Sequence, residues 1–170
     1  MAFIIRFFSY NMRFFGFIVA LIYCPLSFAQ SGEPHTLSSS EQTVYLFLQD
    51  YYGTMSDRNW NLYRDFFVEK GTLTTVWKSG SDQKPEIHGY TIDEFLAQTK
   101  DGPDSQPIFE ERMIDADISI QGNLASVYTK YKAKFGTSDK LIEWEGFDLF
   151  SLIRYAGEWK IVSITYESGM

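Results

Sequence analysis

The chain has 170 residues, 45% hydrophobic and 18% aromatic, with 15 basic against 22 acidic side chains and a net charge of −7. An acidic surface repels phosphate backbones, so nucleic acid is excluded as a natural partner. One cysteine and two histidines leave no His/Cys spacing for a metal, and no glycine-rich loop suggests a nucleotide, so neither a metal nor another cofactor is expected.

The first 29 residues read as an export signal. Arg6 and Arg13 precede the apolar run FFGFIVALIYC, and Ser27-Phe28-Ala29 offers a small-residue cleavage site. The run from Phe14 to Cys24 is shorter than the ~20 residues that span a bilayer. Export to the periplasm or the medium is therefore expected, with no membrane attachment after cleavage. What remains is 141 residues with a net charge of −9 and no cysteine, enough for one domain with a single core. Residues 30–39 are polar and small, a flexible lead into a domain over 40–168.

From Glu41 to Met55, Val44, Leu48, Tyr51 and Met55 recur at helical spacing, widened by Phe47 and Tyr52. Ser56 or Asp57 can cap a second helix through NWNLYRDFF, whose apolar members are Trp60, Tyr63, Phe66 and Phe67. GTLTTVWKS alternates like a strand. SGSDQKPE is a turn, and EIHGY is a short extended piece. Thr91 followed by Glu94 is a capping-box pattern opening a third helix, DEFLAQTK, which stops at Gly102-Pro103. The rest reads as long strands joined by tight turns: IFEERMIDADISI, LASVYTKYKAKF, IEWEGFDLFSLIRY and WKIVSITYE. Helices followed by strands predict an α+β domain. Long antiparallel strands twist and curl. The expectation is a cone-shaped antiparallel sheet, closed by three helices around a pocket.

The opening YLFLQDYYGTMSDRNWNLYRDFF, the Gly-Asn-Leu-Ala-Ser-Val at 122–127 and the ending GFDLFSLIRYAGEWKIVSITYE resemble the nuclear transport factor 2-like superfamily. Ketosteroid isomerases, SnoaL-like polyketide cyclases and scytalone dehydratase belong to that group, together with many small secreted proteins. The resemblance covers residues from about 40 to 168 and implies a cystatin-like α+β roll, commonly paired through its sheet into a homodimer. Similar bacterial proteins carry a histidine two residues before the glycine of the Gly-x-Asp-x-Phe segment, where this chain has Trp144. No catalytic residue of the isomerases, cyclases or dehydratase maps onto it.

Alternation puts Trp144, Gly146, Asp148, Phe150, Leu152 and Arg154 on one face of their strand, and neither face is purely polar, so both are expected to be covered. A buried carboxylate needs hydrogen bonds or a cation, or it takes up a proton. Two readings of Asp148 stand. It lines the hollow as a general base or ligand anchor, or it is a structural aspartate bonded to Arg112, Lys130 or backbone amides. His88 stands at the mouth of the cone, or is an exposed imidazole. Tyr52, Trp60, Phe67, Tyr131 and Trp144 are candidates for an aromatic lining that would suit a small hydrophobic, ring-shaped ligand, with Arg112 as a polar contact. Asp115 and Asp117 share one strand face with Glu111, which read sharply is a cation site. The plain reading is a solvated face balanced by Lys130, Lys132 or Lys134. Binding without transformation is the first functional reading. An isomerase, cyclase or dehydratase using Asp148 with His88 or a tyrosine is the second, and an interaction role for the sheet surface is the third.

Overall fold

Ser38 starts the domain. Its hydroxyl accepts the Glu41 N–H while the Glu41 carboxylate accepts the Ser38 N–H, a complete capping box. Helix α1 (Ser39–Ser56) therefore begins two residues ahead of its expected start. Its stripe is the expected one, with Val44, Leu48, Tyr51, Tyr52 and Met55 buried. The computed structural model describes residues 36–77 and 84–168. The expected export signal, most of the lead and most of the turn after the first strand lie outside the described residues.

Helix α2 (Trp60–Asp65) is capped by Asn59, whose side chain accepts the Leu62 N–H. Ser56 and Asp57, the expected caps, still belong to the end of α1, and Arg58 at φ 55° turns the chain. Phe67, expected in this helix, opens strand β1 (Phe67–Trp77) instead. Strand β2 (Glu86–Thr91) leads into α3 (Ile92–Ala97) through the capping box of Thr91 and Glu94. Two 3₁₀ turns follow, Thr99–Asp101 and Pro103–Ser105. The remaining strands are β3 (Ile108–Gln121), β4 (Leu124–Thr137), β5 (Lys140–Tyr155) and β6 (Glu158–Ser168).

The six strands form one sheet in the order β2-β1-β6-β5-β4-β3. After α3 the chain starts again at the far edge, and three hairpins carry it back to β1. It arrives running the same way, so β1 and β6 pair in parallel while every other pair is antiparallel. The sheet is thus mixed, not purely antiparallel as expected. Local patterning gives each strand but says nothing of which distant strand it will lie beside.

Bulges bend this sheet. Met113 pairs with Tyr131 and Asp115 with Lys130, so Ile114 is an extra residue in β3. The β5–β6 register also shifts, between Ser151 and Leu152. On β5, Gly146, Asp148, Phe150 and Leu152 are buried against the helical side, and Glu145, Phe147, Leu149 and Ser151 are exposed. The outer face is therefore open on this chain; the cover expected there is a partner subunit. Tyr128 and Phe147 stack there at 5.5 Å between ring centroids. Among the described residues no helix is long and apolar enough to cross a membrane.

Candidate functional site

Alternation on β5 aims Asp148 inward, between Thr129 of β4 and Tyr166 of β6. It is 6% exposed. The Tyr52 hydroxyl, from α1, donates to its carboxylate and lies 2.8 Å from the Thr129 hydroxyl. Among the described residues no cation reaches it. Arg112, an expected partner, points outward, 76% exposed, and pairs with Glu110. Lys130, the other, pairs with Glu145 at 2.6 Å, and Lys132 with Glu143 at 3.0 Å, so the lysines answer β5 rather than the aspartates of β3. Burial without a counter-charge pushes Asp148 up to about 7, against the pull of the Tyr52 hydrogen bond.

Glu111 is the residue that strict alternation misplaced. Up to Met113 the inward positions of β3 are odd-numbered, Phe109, Glu111 and Met113. Beyond the extra residue they are even-numbered, Ala116, Ile118 and Ile120. The bulge therefore separates Glu111 from Asp115 and Asp117, which are exposed. Ser56 fixes the strand at this point, its hydroxyl accepting the Glu111 N–H at 2.8 Å and donating to the Glu111 carbonyl at 2.9 Å. The Glu111 carboxylate takes no hydrogen bond or ion pair from any described side chain. Glu111 is half-buried and lines both a cavity and a cleft. Burial first, and the charge of Asp148 second, push it up to about 8.

The cavity has a volume of about 450 Å³, within the range of ~300–1,000 Å³ typical of small-molecule sites. Every strand contributes to its wall, and nine of its eighteen lining residues are Phe, Tyr or Trp. Among the described residues, Asp148, Glu111 and His88 are the ionisable groups that line it besides tyrosines, and no Lys or Arg does. Tyr131 and Trp144 line it as expected, and so do Tyr51, Tyr63, Tyr90 and Tyr166, which sequence reasoning did not single out. Tyr51 and Tyr63 share a buried hydroxyl–hydroxyl bond of 2.8 Å. Burial raises both hydroxyls well above the ordinary tyrosine value and raises Tyr166 to about 12. The Trp144 indole N–H stands near the Tyr131 hydroxyl but finds no acceptor in hydrogen-bond geometry.

Four other candidates lie elsewhere. Tyr52 reaches Asp148 from behind and borders the cleft of about 620 Å³ between α1 and the start of β3. Arg112 borders that cleft too and not the cavity. Trp60 packs on Tyr63 and Phe95 and donates its N–H to Asp104 at 3.0 Å, and Phe67 is core, 4% exposed beneath Tyr51 and Tyr63. Both support the ring of aromatics from outside, because Phe67 is drawn into β1 and Trp60 faces the 3₁₀ segment.

A curled sheet closed by helices over a cavity is the fold of the nuclear transport factor 2-like proteins among the solved structures that this chain resembles. Within it, the chain belongs to the family described as "Putative lumazine-binding", whose profile matches residues 39–167. Among solved structures, the "Putative Scytalone Dehydratase" of Novosphingobium aromaticivorans is 14% identical with a TM-score of 0.62, over 77% of this chain and 85% of that one. An NTF2-like protein of unknown function from Shewanella baltica is 21% identical with a TM-score of 0.55, over 80% and 99%. A protein of Catenulispora acidiphila, solved in complex with S-DNPA, is 13% identical with a TM-score of 0.58, over 75% and 91%. At these identities the likeness is one of fold. No curated protein matches the chain.

Proposed function

We propose that this is an exported small-molecule-binding protein whose cavity holds an apolar, ring-shaped ligand. The observation that carries the reading is the composition of the cavity wall: nine aromatic residues around two carboxyl groups and one imidazole. Aromatic faces take up a ring, and a few convergent polar groups orient it. The family description makes lumazine the first ligand to try, since carboxylates can accept from its ring N–H groups. Titration with lumazine, followed by tryptophan fluorescence, is expected to saturate in the parent and to lose most of its amplitude in Trp144→Phe. A linear, unsaturable response to lumazine and to other fused rings would overturn the reading.

A second reading has its own support. Asp148 pushed up to about 7 is matched to general-base work near neutral pH, with His88 lining the same cavity as a second proton carrier. On this reading the protein is a cofactor-free isomerase, cyclase or dehydratase. Solvent deuterium would then enter the bound ligand at a carbon position, and Asp148→Asn would abolish that exchange while leaving binding intact.

The same proposal includes cleavage of the first 29 residues on export and a homodimer through the outer face of the sheet. The exposed Tyr128, Phe147 and Leu149 support that pairing surface. Sedimentation of the parent as a dimer and of Phe147→Lys as a monomer is the expected result.

A further inference from the structure

We propose that the ligand this cavity is built for is an organic cation: a protonated amine on a one- or two-ring body, with its N–H groups shared between Glu111 and Asp148. The inference rests on the small-molecule reading above and names the ligand's chemical class. Three observations on the cavity lead to it. Two carboxyl groups border one cavity, and among the described residues neither has a basic partner, since Arg112 and Lys130 are both paired on the outside. Half the wall is aromatic, and ring faces carry the negative end of their quadrupole, which attracts a desolvated cation. Ser56, moreover, holds the Glu111 backbone, and no described side chain bonds its carboxylate, which leaves those oxygens to a ligand.

A neutral ring would leave the two carboxyl groups protonated, or uncompensated where they ionise, and an anion would be repelled by the ionised pair. An ammonium group supplies the missing counter-charge and keeps its own hydrogen bonds on entering the apolar space. Of the other groups that face the pair, the buried phenols do not compete for this role. Tyr52 from α1, Tyr131 from β4 and Tyr166 from β6 are phenols held neutral by burial, and from β2 come His88 and Tyr90. The net charge of −7 would also steer a cation toward the protein.

The test is calorimetric titration of the purified protein at pH 8 with three probes of one shape: 2-phenylethylamine, 2-phenylethanol and 3-phenylpropanoate. The amine is expected to bind at least about tenfold more tightly than the alcohol, with the carboxylate weakest. Glu111→Gln should cost the amine about tenfold in affinity while leaving the alcohol within about threefold. Because the parent comparison needs no variant, a poorly folding substitution would not blur the result. Equal or tighter binding of the alcohol or the carboxylate would overturn the cation proposal and leave the small-molecule reading standing. Binding of none of the three would overturn the cation proposal, and would overturn the small-molecule reading as well if lumazine and other fused rings also fail to saturate.

Discussion

Replacing Asp148 by Asn keeps the shape of the side chain and removes its charge. In the parent this carboxyl group is 6% exposed, has one hydrogen bond from a phenol and no cation, and is pushed up to about 7. Its ordinary value is ~4, so the folded state holds the proton more tightly than the unfolded chain does. Stability contributed by that proton is complete below about pH 4 and is lost as pH rises through about 7. A pKa raised by about three corresponds to roughly 4 kcal/mol in all, of which about 2.5 kcal/mol is lost between pH 5 and pH 8. Asp148 is too deeply buried for solvent screening to reduce this much. Urea unfolding of parent and variant at the two pH values measures it directly. The variant should match the parent within about 1 kcal/mol at pH 5 and exceed it by about 2 kcal/mol at pH 8. Glu111 will leave some pH dependence in the variant, smaller than in the parent because the charge of Asp148 no longer lifts it. A variant weaker than the parent by several kcal/mol at pH 8 would refute the reasoning, since it would mean that the fold depends on the carboxylate as an anion.

Tyr52→Phe removes the hydrogen bond that favours the ionised form of Asp148, so the carboxyl group should titrate higher still by NMR, with a stability loss of about 1–2 kcal/mol at neutral pH. Gly146 lies beneath the Tyr131 ring, where an added Cβ would collide with that ring and stand 2.6 Å from the Glu167 carbonyl oxygen. Gly146→Ala is therefore expected to cost at least about 2 kcal/mol in a thermal melt and to change the near-UV signal of the cavity wall. Arg112→Ala should shift stability by no more than about 0.5 kcal/mol, because the ion pair it removes is exposed. A large loss there would mean that Arg112 serves an inner group after all.

Much of this arrangement is legible in the residues. Tyr52 and Val44 declare their helix face by spacing, Thr91 and Glu94 announce a capping box, and alternation around Phe150 sends Asp148 inward. Other features are not local. Phe67 ends an apolar run that suits a helix or a strand equally, and it is the parallel seat beside Ile161 on β6 that draws it into β1. Nothing near Arg112 says whether it reaches across to Asp148, because that depends on a register set by two other strands. Glu111 lies between these cases. The apolar residues of its strand change phase, from Phe109 and Met113 to Ala116, Ile118 and Ile120. That change is visible in the sequence, but only to a reader prepared for an interrupted alternation.

The extra residue at Ile114 works on its strand as a frameshift works on a message. Every position before it keeps one sense, inside or outside, and every position after it takes the opposite one. The identity of a residue in β3 is therefore only half of its meaning, and the count of residues from the bulge is the other half. When relatives are compared across this strand, an alignment that opens no gap at position 114 against an unbulged strand will match a cavity carboxylate with a surface one. The chemistry of the cavity in such relatives will be read correctly only once that single-residue offset has been located in each of them.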